Sequence, residues 1–163
     1  MTNLPSAVSE TLASYYEEVR GRVHELVAPL STEQLWENPY TYGNSIGHLL
    51  LHLTGNLSHY VGARIAGTGY VRNRPLEFTD TSRHPKEEVL AAFDRAIEMV
   101  AATTRKQSAD DWTAAYSDPT SPHDHNRFAV IQRMAAHASH HLGQIIYLSK
   151  ELAKKQPATG AGD

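Results

Sequence analysis

Cysteine is absent from this sequence of 163 residues. The absence excludes disulfides, thiolate ligands to a metal and a cysteine nucleophile. If a thiolate takes part in any chemistry, it must therefore arrive on a small molecule. The sequence also contains no Glu-x-x-His pattern, which argues against the carboxylate-bridged di-iron sites that some helical bundles hold.

Long apolar runs are lacking as well. No stretch approaches the roughly 20 apolar residues that span a bilayer. Residues 1–9 do not combine a basic region with a following apolar stretch, as a signal peptide would. We therefore expect a cytoplasmic protein without membrane association.

Basic residues are not in excess, since 15 Lys and Arg stand against 18 Asp and Glu, for a net charge of −3. Proteins that bind nucleic acids usually show a basic footprint, because neutralising phosphates supplies most of the affinity. We therefore expect no nucleic-acid partner.

Four segments place apolar residues at the three- and four-residue spacing of amphipathic helices. They run from about Pro5 to Pro29, from Ile46 to about Gly67, from Pro85 to Thr104 and from Val130 to Leu152. We find no convincing strand and no internal repeat. The sequence therefore predicts an all-α fold, a four-helix bundle over residues 1–155, followed by a disordered tail at 156–163.

The connections between the predicted helices are uneven in length. Residues 67–84 form a polar link that is long enough to cross the bundle, which permits helices two and three to run parallel. A second long link, at about 107–125, contains Trp112 and Tyr116. We expect these two aromatic residues to fold back onto one end of the bundle, and either link could form a lid.

Ten histidines are the unusual feature of the composition. His48 and His52 are four residues apart on the second predicted helix, as are His137 and His141 on the fourth. Residues at this spacing share a helix face, with Cβ atoms about 6 Å apart, so both imidazoles of a pair can reach one ion. At about 100° per residue, His137, His141 and Gln144 fall on the apolar, inward stripe of the fourth helix.

On the second helix, His48, His52, Asn56 and His59 form a polar stripe beside the apolar face. Polar groups on inward faces reduce stability unless their hydrogen-bonding capacity is satisfied. A shared metal ion would satisfy both helices, and an antiparallel pair would bring His52 and His141 to a similar level. Hydrogen-bonded core histidines or surface histidines would produce the same spacing, so these interpretations stay open on spacing alone.

Two further motifs have simpler explanations. Gly43-Asn44-Ser45-Ile46-Gly47 matches the GxSxG nucleophile elbow, but that elbow requires a strand before the turn. We expect instead the start of the second helix, with Asn44 or Ser45 as its cap. His123-Asp124-His125 contains ligand-type residues, but in a proline-containing loop it is more simply explained as a polar lead-in to the last helix.

Three segments together resemble the DinB-like (YfiT-like) superfamily of metalloenzymes. His52-Leu53-Thr54-Gly55-Asn56 is similar to an HLxGN motif on the second helix of that family. Arg72 to Phe78 is similar to the RxRPxEF stretch of one branch, and His137 to Ile145 is similar to the HxxxHxGQI helix of the same branch. The resemblance extends over about residues 5–153.

This resemblance implies a four-helix bundle, often a homodimer, with a metal site of three histidines. The ligands would be His52, His137 and His141. Zinc is the favoured ion, and nickel, iron, manganese and copper are alternatives. Relatives commonly carry another residue where this chain has His48, which leaves open whether His48 is a fourth ligand, a base or proton shuttle, or a surface residue.

Four further residues are candidates for a supporting role around the ligands. Asn56 and Gln144 could orient the ligand imidazoles. His59 and His140 would lie next to the ligands or be exposed. Polar packing would explain these side chains nearly as well.

Three neutral imidazoles leave a coordination position open, as in catalytic zinc sites. The resemblance implies thiol chemistry, since some members of the family use low-molecular-weight thiols in S-transfer or isomerisation. Our leading hypothesis is therefore a metal-dependent, thiol S-transferase-like enzyme that acts on a small-molecule substrate with an external thiol. One alternative is a metal-dependent hydrolase with a metal-bound water as nucleophile and His48 as base. Another is a non-catalytic, metal-stabilised stress-response or binding protein.

Overall fold

The computed structural model describes residues 3–154, and most of them are helical. The helices are α1 (Leu4–Val27), α2 (Thr32–Trp36), α3 (Ile46–Leu57), α4 (Leu76–Thr79), α5 (Lys86–Arg105), α6 (Ala109–Thr113) and α7 (Arg127–Lys154), and a π-helix (Ser58–Ala66) continues α3. Residues 3–154 form no strand beyond one isolated bridge. The predicted all-α class is thus confirmed, and the four predicted helices correspond to α1, α3 with its π-helical continuation, α5 and α7. The predicted tail at 156–163 lies outside the described residues.

Polar side chains fix where the helices begin. Asn3 accepts a hydrogen bond from the backbone N–H of Ser6 at the start of α1. Ser45 caps α3 through the N–H of His48, so one of the two predicted caps is used. These side chains satisfy backbone donors that have no partner inside the helix. The GxSxG segment is accordingly a helix start.

The directions of the long helices follow from contacts at their ends. Arg105, at the end of α5, forms ion pairs with Glu10 and Glu17 of α1. Lys86, at the start of α5, donates to the carbonyl of Leu30, just beyond the end of α1. Helices α1 and α5 are therefore antiparallel.

Helices α3 and α5 run in the same direction. The starts of the two helices lie close together through Trp36. Its ring packs against Gly47 at the start of α3, and its indole Nε1 donates to the carbonyl of His84, just before α5, at 2.9 Å. Beyond the end of α3, Gly62 lies against Met99 in the second half of α5. The 67–84 link consequently crosses the length of the bundle, and it carries α4 against α3.

The second long link folds back onto the bundle, as expected from its aromatic residues. The indole of Trp112, in α6, donates to Oγ of Ser9 at 3.1 Å. The hydroxyl of Tyr116 donates to the carbonyl of Tyr60 at 3.2 Å. Both aromatic side chains are buried, and they close the end of the bundle where α1 begins.

Apolar side chains of all four long helices meet in one core. Its largest fully buried members include Tyr16, Leu53, Phe93 and Ile145. None of the helices in the described part of the chain is both long and apolar enough to cross a bilayer. The polar side chains buried beside this core define the candidate site.

Candidate metal centre

Three imidazoles from two helices meet inside the bundle. His52 lies on α3, and His137 and His141 lie on α7. The ring centroid of His52 lies 5.1 Å from that of His137 and 4.9 Å from that of His141, and the two α7 rings are 4.5 Å apart. One ring nitrogen of each histidine lies within 4.8 Å of the other two. Within residues 3–154, this is the group of side chains that could hold a metal ion.

His52 is oriented by a carboxylate from the link between α3 and α5. Its Nδ1 lies 2.8 Å from Oε2 of Glu77, on α4. Because an ionised carboxylate can only accept, Nδ1 carries the proton and Nε2 keeps its lone pair. That Nε2 lies 3.0 Å from Nε2 of His137, so it is directed at the histidines of α7.

Arg72 keeps Glu77 in place and ionised. Its Nε donates to Oε1 at 2.7 Å and its Nη2 donates to Oε2 at 2.8 Å. Burial raises the pKa of Glu77, but hydrogen bonds from Arg72 and His52 outweigh it, and the pKa lies below its ordinary value. Glu77 is therefore an anionic acceptor for the imidazole N–H of His52, which holds that proton on Nδ1 and leaves Nε2 as the nitrogen that can ligate a metal.

His141 is oriented within its own helix. Its Nδ1 lies 2.7 Å from Oε1 of Gln144, and an amide oxygen is an acceptor, so Nδ1 carries the proton here too. The remaining Nε2 is buried and has no hydrogen-bond partner among the described residues. A buried acceptor without a partner is costly, and a metal ion would supply the missing partner.

The two clustered imidazoles of α7, His137 and His141, are held in the neutral form. Burial, reinforced by the neighbouring His141 and His52, lowers the pKa of His137 to about 3. Burial also lowers the pKa of His141, against an opposing hydrogen bond from Gln144. Metal binding requires neutral imidazoles with free lone pairs. The Nε2 atoms of His52 and His137 face each other, and their lone pairs would repel unless a proton or a cation lay between them. A divalent ion bound by these nitrogens would remove the repulsion, so the donor set fits such an ion.

A cavity of about 650 Å³ opens beside two of these histidines. His52 and His137 lie in its wall, together with Asn56, His59 and Arg72. This volume suits a small organic ligand. A reactant in the cavity would thus have access to the histidine cluster.

A family model described as the DinB superfamily matches residues 15–145. The chain belongs to the DinB superfamily. The comparison with curated proteins finds no match.

All three clustered histidines of this DinB-superfamily chain lie within the matched residues. The cluster consists of the residues that sequence reasoning selected as ligands, His52, His137 and His141. Gln144 makes the contact that an orienting residue would make, on His141. His140 is exposed, with its ring centroid 5.1 Å from that of His141.

His48 lies outside the cluster in the described structure. Its Nδ1 is 2.8 Å from Oγ of Ser45, and its Nε2 is 3.0 Å from the carbonyl oxygen of Asp80. Both ring nitrogens are thus engaged at the start of α3 and in the α3–α5 link. A catalytic role for His48 stays a prediction, and these contacts favour a positioning role.

His59 and Asn56 both face the cavity. His59 Nε2 lies 2.9 Å from Oδ2 of Asp118, a fully buried carboxylate that also pairs with Arg64. Burial raises the pKa of Asp118, but hydrogen bonds from Thr120 and His59 outweigh it and lower the pKa to about 2. Asn56 is buried, and its Oδ1 has no partner among the described residues.

Sequence reasoning missed the roles of Glu77 and Arg72. Both belong to the RxRPxEF segment, which contributed to the family resemblance but was given no role in the site. Glu77 is 25 residues from the histidine that it orients, so no helical periodicity connects them. The one available signal was an acidic residue in a long polar link, because such a link can fold over a site.

Proposed function

We propose that this DinB-superfamily chain binds a divalent metal through His52, His137 and His141, and that it is a metal-dependent enzyme of thiol S-transferase-like type. The observation that carries the proposal is the convergence of three imidazole nitrogens within 4.8 Å. Two of the three rings have their other nitrogen held by an acceptor, Glu77 or Gln144. This is how metal-ligating imidazoles are usually supported in proteins.

Bound at three imidazoles, a divalent ion would supply a Lewis-acid centre with an open coordination position, which lowers the pKa of a thiol or a water placed there. Zinc is the ion that we favour, and nickel, iron or manganese are alternatives. The chain has no cysteine, so a thiol reactant would come from a low-molecular-weight compound. Family membership favours this use of the site, but it does not by itself fix the reaction.

The residues around the cluster have roles that follow from their contacts. Glu77 and Arg72 keep the Nδ1 proton of His52 in place, and Gln144 does so for His141. His59 lines the cavity, and its Nε2 lies on the buried carboxylate of Asp118, which holds the ring in position. The cavity next to the cluster favours catalysis over a purely structural site, which has no need of one.

Metal content provides the first test. Elemental analysis of protein purified without an affinity tag should give about one metal ion per chain. His52→Ala, His137→Ala and His141→Ala should each lose most of it. His140→Ala is the matched control, because it removes an imidazole from the same helix but outside the cluster, and it should keep the metal. Failure of wild type to hold metal after reconstitution with Zn, Ni, Mn and Fe would refute the metal site.

Thiol dependence provides the second test. The metal-loaded protein would be assayed with a model electrophile and a series of low-molecular-weight thiols. We expect a rate that requires both thiol and metal and that disappears in His137→Ala. Thiol-independent turnover of an ester, amide or phosphoester panel would contradict the transferase and identify a hydrolase instead. Two further parts of the proposal are a homodimer and a cytoplasmic location. Light scattering would test the first, and cell fractionation would test the second.

A further inference from the structure

The cavity beside the histidine cluster has a cationic wall. Three arginines line it, Arg72, Arg74 and Arg133, and no aspartate or glutamate of the described residues does. The positive character of the wall therefore comes from guanidinium groups, in a chain whose net charge is −3.

Two of the arginines already have carboxylate partners behind the wall. Arg72 forms two hydrogen bonds with Glu77, whose side chain is 6% exposed. Arg133 pairs with Asp124, whose side chain is 3% exposed. These two charges are balanced within the protein. Their main contribution is to position the cavity wall.

Arg74 is different, because it has no carboxylate partner among residues 3–154. Its guanidinium carbon lies 5.6 Å from the ring centroid of Phe78, over the ring face. The Phe78 ring packs in turn against His52, with ring centroids 4.8 Å apart. This stack places an exposed guanidinium group, with no ion pair among the described residues, at the cavity wall. The Phe78 ring lies between it and the proposed metal ligand His52.

We propose that the cavity takes a small molecule with an anionic group, a carboxylate or a phosphate, which binds Arg74 while the reactive end of the molecule faces the three histidines. A guanidinium group can form two parallel hydrogen bonds to either kind of oxyanion. A cavity of about 650 Å³ holds a molecule large enough to reach both places. The identity of the reactive end rests on the proposed function, whereas anion binding at Arg74 does not.

Calorimetric titration of the full chain tests this subsite with three probes. Succinate supplies carboxylates, inorganic phosphate supplies a phosphate group, and succinamide is a neutral analogue of succinate. We expect at least one of the two anions to bind and succinamide not to bind. The tighter of the two anions then identifies which kind of oxyanion the subsite prefers.

Variants locate the binding. Arg74→Gln should weaken anion binding by about tenfold or more, as expected for loss of a charge-assisted hydrogen bond. Arg74→Lys should restore part of it, because the charge remains but the planar fork is lost. Arg95→Gln is the matched control, since Arg95 is an exposed arginine with no ion pair among the described residues and lines a different cavity. It should leave binding unchanged.

His137→Ala separates the subsite from the metal site. Anion binding that survives in His137→Ala and is lost in Arg74→Gln supports the subsite, even if no metal is found in the wild-type protein. Anion binding that is lost in His137→Ala and unchanged in Arg74→Gln would mean that the anion binds only to the metal, and would overturn the proposal. Absence of anion binding, or equal binding of succinamide, would overturn it as well.

Discussion

The side chain of Glu77 connects His52 on α3 with Arg72 in the α3–α5 link. It accepts from Nδ1 of His52, it forms two hydrogen bonds with Arg72, and its side chain is only 6% exposed. A buried carboxylate without partners would be strongly destabilising. Here the arginine supplies the compensating charge, and the histidine uses the remaining acceptor capacity. The stability of the link and the tautomer of a proposed ligand therefore depend on the same carboxylate.

Glu77→Gln should weaken metal binding without removing any ligand. The amide is a poorer acceptor for the N–H of His52, and it leaves Arg72 without its anionic partner. Loss of an oriented partner of a ligating histidine usually reduces metal affinity about 10- to 100-fold. Competition with a chromophoric zinc chelator would measure the change. Glu87→Gln, which removes an exposed carboxylate in the first turn of α5, is the control and should retain wild-type affinity.

Helix α3 can approach the α3–α5 link closely only because residue 55 is a glycine. Gly55 follows His52 by three residues, so the two residues lie about one turn apart on the face of α3 that meets α4. A Cβ at Gly55 would overlap Oε1 of Glu77 and lie 2.9 Å from its Cδ. The carboxyl group of Glu77 is itself held by Arg72, so it cannot move aside freely. The absence of a side chain at Gly55 thus permits the contact between Glu77 and His52.

Gly55→Ala should therefore be destabilising, although alanine is the better helix former by about 1 kcal/mol. The overlap would displace Glu77, so we expect a lower midpoint of urea unfolding together with weaker zinc binding. Gly21→Ala is the matched control in α1, because a Cβ there meets nothing within 4 Å. That variant should be as stable as wild type or more stable, with unchanged metal content. A Gly55→Ala variant that behaved like Gly21→Ala would show that Glu77 is not fixed.

The long helices could be predicted from the sequence because each buries a continuous apolar stripe. Short helices such as α4 and α6 could not, since four or five residues do not complete a periodic pattern. The π-helical geometry of the segment that continues α3 could not be predicted from the sequence either, because its apolar positions fit an α-helix almost as well. The links therefore contain most of what sequence reasoning did not predict.

The candidate site shows the same contrast between residues on long helices, which the sequence predicts, and residues in links, which it does not. The three clustered histidines could be selected because each lies on a helix face that the apolar pattern orients. Glu77 and Asp118 could not, since each reaches its histidine from a link whose path is set by tertiary packing. Periodicity can place residues on one helix face, but it does not show which side chain of a distant link will cover that face.

The proposed metal ion would connect two helices of the molecule that are distant in the sequence, α3 and α7. Its ligands His52 and His137 are 85 residues apart in the chain. Both helices contribute to the core, and the cluster lies between them. An ion that binds the folded chain and not the unfolded chain stabilises the fold by mass action. The free energy of unfolding should then depend on free metal concentration.

Metal removal should accordingly lower the melting temperature of the wild-type protein. With free metal at about 1,000 times its dissociation constant, the stabilisation is about 4 kcal/mol, which corresponds to roughly 10 °C for a domain of this size. Calorimetric melting with and without a chelator would measure it. His137→Ala should melt at the same temperature in both conditions, because it lacks the complete site. A chelator effect of equal size in wild type and His137→Ala would instead show that the stabilising ion binds elsewhere, since only a site that includes His137 is abolished by that substitution.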